Sequence, residues 1–194
     1  MQTWPAEAIA ANHHFRQRIS PDQLPVRGPG GRAVITCIDP RINLEAIGIS
    51  QFAESGRQES QVRIIRTIGA KVDERSLLIG VFLAGIRDIT ILAHTDCGCG
   101  LAHGAIASIA ERMHRQLDPG RLAEFEAEVG RGTDNLRLWL KTFEDPRQGV
   151  LDELEHIRSL PFCPADLAIH GLVYDVETGG VEIVHEDKRA TGPA

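Results

Sequence analysis

Apolar and polar positions along this chain fall into blocks whose period changes from about 3.6 residues to 2 and back. Residues 6–18 carry Ile9 and Phe15 at helical spacing, with Ile19 just beyond, and stop short of Pro21; this predicts an N-terminal helix. A Pro- and Gly-rich stretch over 21–31 predicts a loop. Residues 33–37, 62–66 and 88–93 are short apolar runs rich in β-branched side chains, and predict three strands. A short helical piece is expected around 43–47, and a polar loop over 50–60. Asp73 is placed to cap a helix that runs to about Ile86. Further helices are predicted over 102–116 and 121–143, with breaks at Pro119-Gly120 and near Gly130-Arg131-Gly132. Another is predicted over about 147–159, ending before Pro161. Two last strands, 167–176 and 181–185, flank a Thr178-Gly179-Gly180 turn.

Strands that alternate with helices predict an α/β fold: a mainly parallel central sheet flanked by helices, with a hairpin-like strand pair at the C-terminus. At 194 residues the chain is expected to form a single domain over 1–194, with residues 6–18 as a helical arm. Right-handed crossovers put the carboxyl ends of the first and third strands on one edge of the sheet, where ligand sites of such folds form.

Both of those strands run into residues that bind metals. The first leads into Cys37-Ile38-Asp39-Pro40-Arg41 and the third into His94-Thr95-Asp96-Cys97-Gly98. Two Cys and one His make a three-ligand set that suits zinc and leaves one position open, the pattern of a catalytic rather than a structural site. A closed site would need a fourth ligand. Cys99 stands too near Cys97 for the usual pairing and is read as a core or pocket-lining residue. Pro40 biases Asp39 toward extended chain, in which residues two apart point the same way, so Asp39 and Arg41 are expected to form an ion pair beside Cys37. Asp96 is expected either to cap the helix after this loop or to support the ligands.

Composition narrows the partners. The net charge is −6 and the basic residues are scattered, which argues against nucleic acid. No apolar run approaches the length of a membrane span, and the first residues lack the pattern of a signal peptide, so a cytoplasmic protein is expected. In such a compartment the four Cys point to metal or catalysis rather than to disulfides. His13, His14, His103, His114, His156, His170 and His185 are read as solvated, and Trp139 and Tyr174 as packing residues.

Cys37-x-Asp39-x-Arg41 together with His94-x-x-Cys97-Gly98 resembles the β-class carbonic anhydrases. Arg66-Thr67-Ile68-Gly69 stands where that family usually has Arg-Asn-Ala-Gly, and Gly171 to Asp175 with Thr178-Gly179 is similar to its last strands. The resemblance covers roughly residues 6 to 185. It implies zinc on Cys37, His94 and Cys97, with catalytic roles for Asp39 and Arg41 and a substrate pocket formed by Thr67, Ile68, Gly69 and Gly98. The implied reaction is CO2 plus water to bicarbonate and a proton, in a homodimer or higher homo-oligomer whose N-terminal helix reaches over the partner. Thr67 and Ile68 depart from the family pattern, and related enzymes hydrolyse carbonyl sulfide or carbon disulfide on the same frame. That is the alternative activity. A noncatalytic zinc-binding or bicarbonate-sensing protein is the alternative of another class. Some members bind regulatory bicarbonate through a Trp three residues before the first ligand Cys. Val34 stands there, so no such site is expected.

Overall fold

The computed structural model describes residues 4–18, 31–45, 48–49 and 62–188. Five strands form one sheet: β1 (Arg32–Cys37), β2 (Arg63–Thr67), β3 (Asp88–His94), β4 (Ala168–Tyr174) and β5 (Val181–His185). Their order across the sheet is β2-β1-β3-β4-β5, with the first four parallel and β5 antiparallel to β4. The predicted α/β architecture and its terminal strand pair are therefore present.

β1 is buried on both faces, as a parallel strand between helical layers must be. Ala33 and Ile35 join one apolar cluster with Leu77, Val81, Ile89, Ile91, Val150 and Ile157. Val34 and Cys37 join the other, with Ile42, Leu92, Cys97, Cys99, Phe143 and Tyr174. Thr36 lies in the same buried strand without cost, because its hydroxyl donates to Leu92 O at 2.8 Å.

Seven helices are described: α1 (Trp4–Arg16), α2 (Glu74–Phe82), α3 (Gly98–Gly104), α4 (Ile106–Gln116), α5 (Pro119–Val129), α6 (Thr133–Leu140) and α7 (Pro146–Ser159). Asp73 caps α2 as expected, accepting from Ser76 N at 3.0 Å. Pro119 opens α5 rather than breaking a helix, with Asp118 as its N-cap. The helix expected over 102–116 is two helices. The first begins at Gly98, four residues earlier than the composition suggested, and they meet at Ala105. A 3-10 turn, Ile68–Ala70, follows β2. It is tied to α7 by the buried Glu153, which accepts from Val72 N at 2.7 Å and faces Lys71 Nζ at 3.4 Å. The loops expected over 21–31 and 50–60 and the piece at 43–47 lie wholly or partly outside the described residues.

Candidate metal centre

β1 and β3 are adjacent and parallel, with Thr36 opposite Leu92. Cys37, the last residue of β1, and His94, the last of β3, therefore leave the same edge side by side. The chain turns at Thr95 and at Asp96, which adopts a left-handed φ of 52°. It then presents Cys97 as the N-cap residue of α3. The ligand atoms of Cys37, His94 and Cys97 lie within 4.8 Å of one another, and all three residues are buried.

The donor set fits a zinc ion. The two sulfurs are 3.9 Å apart, close to the roughly 3.8 Å spanned by two thiolates on one tetrahedral zinc with bonds of about 2.3 Å. His94 Nδ1 lies 2.8 Å from Thr95 O, which can only accept, so Nδ1 carries the proton and Nε2 carries a lone pair. Nε2 is buried and has no hydrogen-bond partner among the described residues. An orphaned acceptor of this kind beside two thiols is what a metal would satisfy. Burial holds the His94 imidazole neutral and pushes the Cys97 thiol up, with the neighbouring Cys37 adding to the latter. A divalent cation reverses that preference for the thiol, because a coordinating sulfur is deprotonated.

Asp39 and Arg41 do meet beside Cys37, by a different route from the one expected. The chain turns at Pro40 instead of running extended. Ile42 N donates to Asp39 O, and Arg41 N donates to Asp39 Oδ1 at 2.9 Å, as Asp followed by Pro favours. The Arg41 guanidinium then grips the carboxylate with two bonds, Nε to Oδ1 at 3.0 Å and Nη2 to Oδ2 at 2.8 Å. These bonds hold the Asp39 carboxyl well below the usual carboxylate range. Asp39 Oδ2 lies 4.0 Å from His94 Nε2, so the carboxylate borders the ligand cluster.

The residues flagged around this cluster are placed differently from one another. Gly69 is buried at a φ of 62° and its amide donates to Cys37 Sγ at 3.4 Å. The Thr67 hydroxyl is used by its own turn, donating to Lys71 O. Ile68 is half exposed, and Gly98 opens α3 at the surface. Cys99 is 2% exposed, packs with Phe143 and Gly69, and stays outside the ligand set. Tyr174 is a core residue, and the exposed Trp139 stacks edge-on against Phe125. His103, His156 and His170 are partly buried and partnered, contrary to the solvated reading, because Thr142, Glu74 and Asp88 face them.

Two residues take contacts that the sequence left open. Asp96 does not cap α3; its carboxylate accepts from Arg41 Nη1 at 2.7 Å. Arg66 donates to Cys37 O at 2.9 Å and to Ile42 O at 3.2 Å, clamping the loop between them. Its place in the Arg-Thr-Ile-Gly run was the only available signal. A cavity of about 550 Å³ lined by Lys71, His103, Arg137, Lys141 and Glu153, among others, shares no lining residue with the cluster. Cluster geometry, not cavity size, locates the chemistry.

No family model matches the chain. Among curated relatives, the carbon disulfide hydrolase of Acidianus sp. (strain A1-3) is 31% identical over 160 residues, 75% of this chain and 72% of that protein. β-Carbonic anhydrase 1 of Mycobacterium tuberculosis is 29% identical over 151 residues, 76% of this chain and 77% of that protein. The solved carbonic anhydrase of Streptococcus mutans superposes with a TM-score of 0.72 at 25% identity, covering 95% of this chain and 99% of that one. β-Class carbonic anhydrases use zinc, and the three-ligand cluster described above is able to hold such an ion. Sequence, sheet topology and donor set thus converge, and the chain belongs to the β-class carbonic anhydrase family.

Proposed function

We propose that this protein hydrates CO2 reversibly to bicarbonate and a proton, with zinc held by Cys37, His94 and Cys97. The supporting observation is His94 Nε2, a buried lone pair without a hydrogen-bond partner among the described residues, beside two thiols. When bound, zinc supplies the Lewis acidity that lets water lose a proton near neutral pH. Asp39, kept ionised by Arg41, would accept a hydrogen bond from a water at the metal position and so orient its oxygen lone pair toward the substrate carbon. Gly98 N–H, at the start of α3, and the wall of Thr67, Ile68 and Gly69 position the substrate.

Hydrolysis of carbon disulfide or carbonyl sulfide is the second reading. It is favoured by the relative at 31% identity and by the exposed apolar Ile38 and Ile68 beside the ligand loops. A noncatalytic zinc protein would have no use for an Asp39–Arg41 pair beside its ligands.

The single domain is read as an assembly of identical copies. α1 has no buried residue and exposes Trp4 and Ile9, while α2 exposes Leu78, Ile79, Phe82 and Leu83. A 13-residue helix is marginal in water without a packing partner, so α1 is assigned to a second copy in a homodimer or larger homo-oligomer. No described helix is long and apolar enough to cross a membrane. Free thiols at the ligand positions suit a reducing compartment such as the cytoplasm.

The test combines metal analysis with stopped-flow CO2 hydration, with carbonyl sulfide and carbon disulfide as parallel substrates. Wild type should carry stoichiometric zinc and Cys37→Ser should lose it. Asp39→Ala should keep zinc and turn over at least about 10²-fold more slowly. Stoichiometric zinc without CO2 hydration at any pH between about 7 and 9 would overturn the main reading. Turnover of a sulfur substrate in its place would establish the second.

A further inference from the structure

Arg41 bridges two loops, and only one end of that bridge belongs to the Asp39 pair. Nε and Nη2 hold Asp39. Nη1 and Nη2 also donate to Asp96, to Oδ2 at 2.7 Å and to the main-chain oxygen at 2.9 Å. Asp96 lies inside the His94–Cys97 loop and is one of three non-Gly residues described with positive φ. That backbone conformation costs free energy unless the surroundings hold it. On the far side, Arg66 fixes the main chain of the Cys37–Ile42 loop. The Asp39 backbone, the Asp39 carboxylate and the Arg41 guanidinium are therefore held at three separate points.

We infer that Asp96 is a positioning residue: by anchoring Arg41 to the loop that carries His94 and Cys97, it keeps the Asp39 carboxylate beside the metal position and leaves the fourth coordination place open to outside ligands. Without the Asp96 charge, Arg41 is tied chiefly to Asp39 and the two can move together, so that Asp39 can turn toward the cluster 4.0 Å away. The inference rests on the reading of Cys37, His94 and Cys97 as a zinc site.

Asp96→Asn tests it, since Asn tolerates a left-handed φ and leaves the main-chain contact in place. Cobalt(II), which accepts the same nitrogen and sulfur donors, reports the fourth position through its visible spectrum. Azide is titrated into cobalt-loaded wild type, Asp96→Asn, Asp39→Asn and the double variant. Arg41 and Asp96 are largely exposed, so the expected loss of azide affinity in Asp96→Asn is roughly fivefold, the upper end for a screened surface pair. In the Asp39→Asn background the same substitution should change azide affinity hardly at all, because no carboxylate remains to fill the place. Unchanged azide affinity in Asp96→Asn, or an equal loss in both backgrounds, overturns the role of Asp96 alone. A wild type that takes up no stoichiometric metal overturns this inference and the zinc reading together.

Discussion

Gly69 marks how tightly the ligand loops are packed. Its φ of 62° lies in the left-handed region, and a Cβ there would stand 2.8 Å from Cys99 Sγ, 2.9 Å from Cys99 Cβ and 3.2 Å from Phe143 Cε1. Gly69→Ala is expected to lower stability by about 1–3 kcal/mol, seen as a fall in the thermal midpoint. Cys99→Gly should recover part of that loss in the double variant, because it removes both the sulfur and the Cβ that the new side chain would meet. A fully additive result would assign the whole loss to backbone strain. At this scale the sequence indicated which residues come together better than how they meet. Cys37 and His94 could be read from their places at strand ends, and Cys97 from its spacing three residues after His94, although the turn at Asp96 is what presents it. Asp39 and Arg41 could be read as neighbours, but through extended chain rather than the turn that joins them. Asp96 could not be assigned, because its bond to Arg41 spans 55 positions and depends on how two loops fold back on each other.

The strands were readable because β-branched runs buried on both faces leave little choice of conformation. Helix ends were less so. Gly98-Cys99-Gly100 has the composition of a loop, yet it forms the first turn of α3 once Cys97 takes the capping position. The cap of α2 was clear from Asp73 and gives a quantitative expectation. Asp73→Ala should cost about 1 kcal/mol at neutral pH. The hydroxyl and amide of Ser76 hold the Asp73 carboxyl below its ordinary value. A lowered folded-state pKa means that the cap contributes fully above the unfolded-state value, near about 3.9, and loses its contribution as pH falls through the folded-state value. The stability difference between wild type and Asp73→Ala, followed by denaturant titration, should therefore shrink below about pH 4. A difference that stays constant into strong acid would show that the charge of Asp73 contributes nothing.

For the whole molecule, the metal and the fold are linked thermodynamically. An ion that binds only the folded chain stabilises it by about 2.7 kcal/mol when free metal is at a hundred times its dissociation constant. Calorimetry should show a raised midpoint with zinc and a lowered one with a chelator. Cys37→Ser should show neither shift, and the zinc effect should fade toward acid pH as the ligands take up protons. The α/β class was readable from the alternation of elements. The strand order was not, because periodicity along a chain does not say which strands become neighbours, and here β1 stands between β2 and β3.

That order has a consequence for the origin of the metal position. Cys37 and Cys97 are 60 positions apart and meet where β1 pairs with β3 across the chain that separates them. In small zinc modules the ion organises a chain that is otherwise unfolded. In this protein the three residues share a location only because two strands of one sheet end side by side, so the socket belongs to the sheet as a whole. Metal supply then sets how much of the folded population carries an ion, and through the linkage above it adds to the stability of a fold that the sheet already defines.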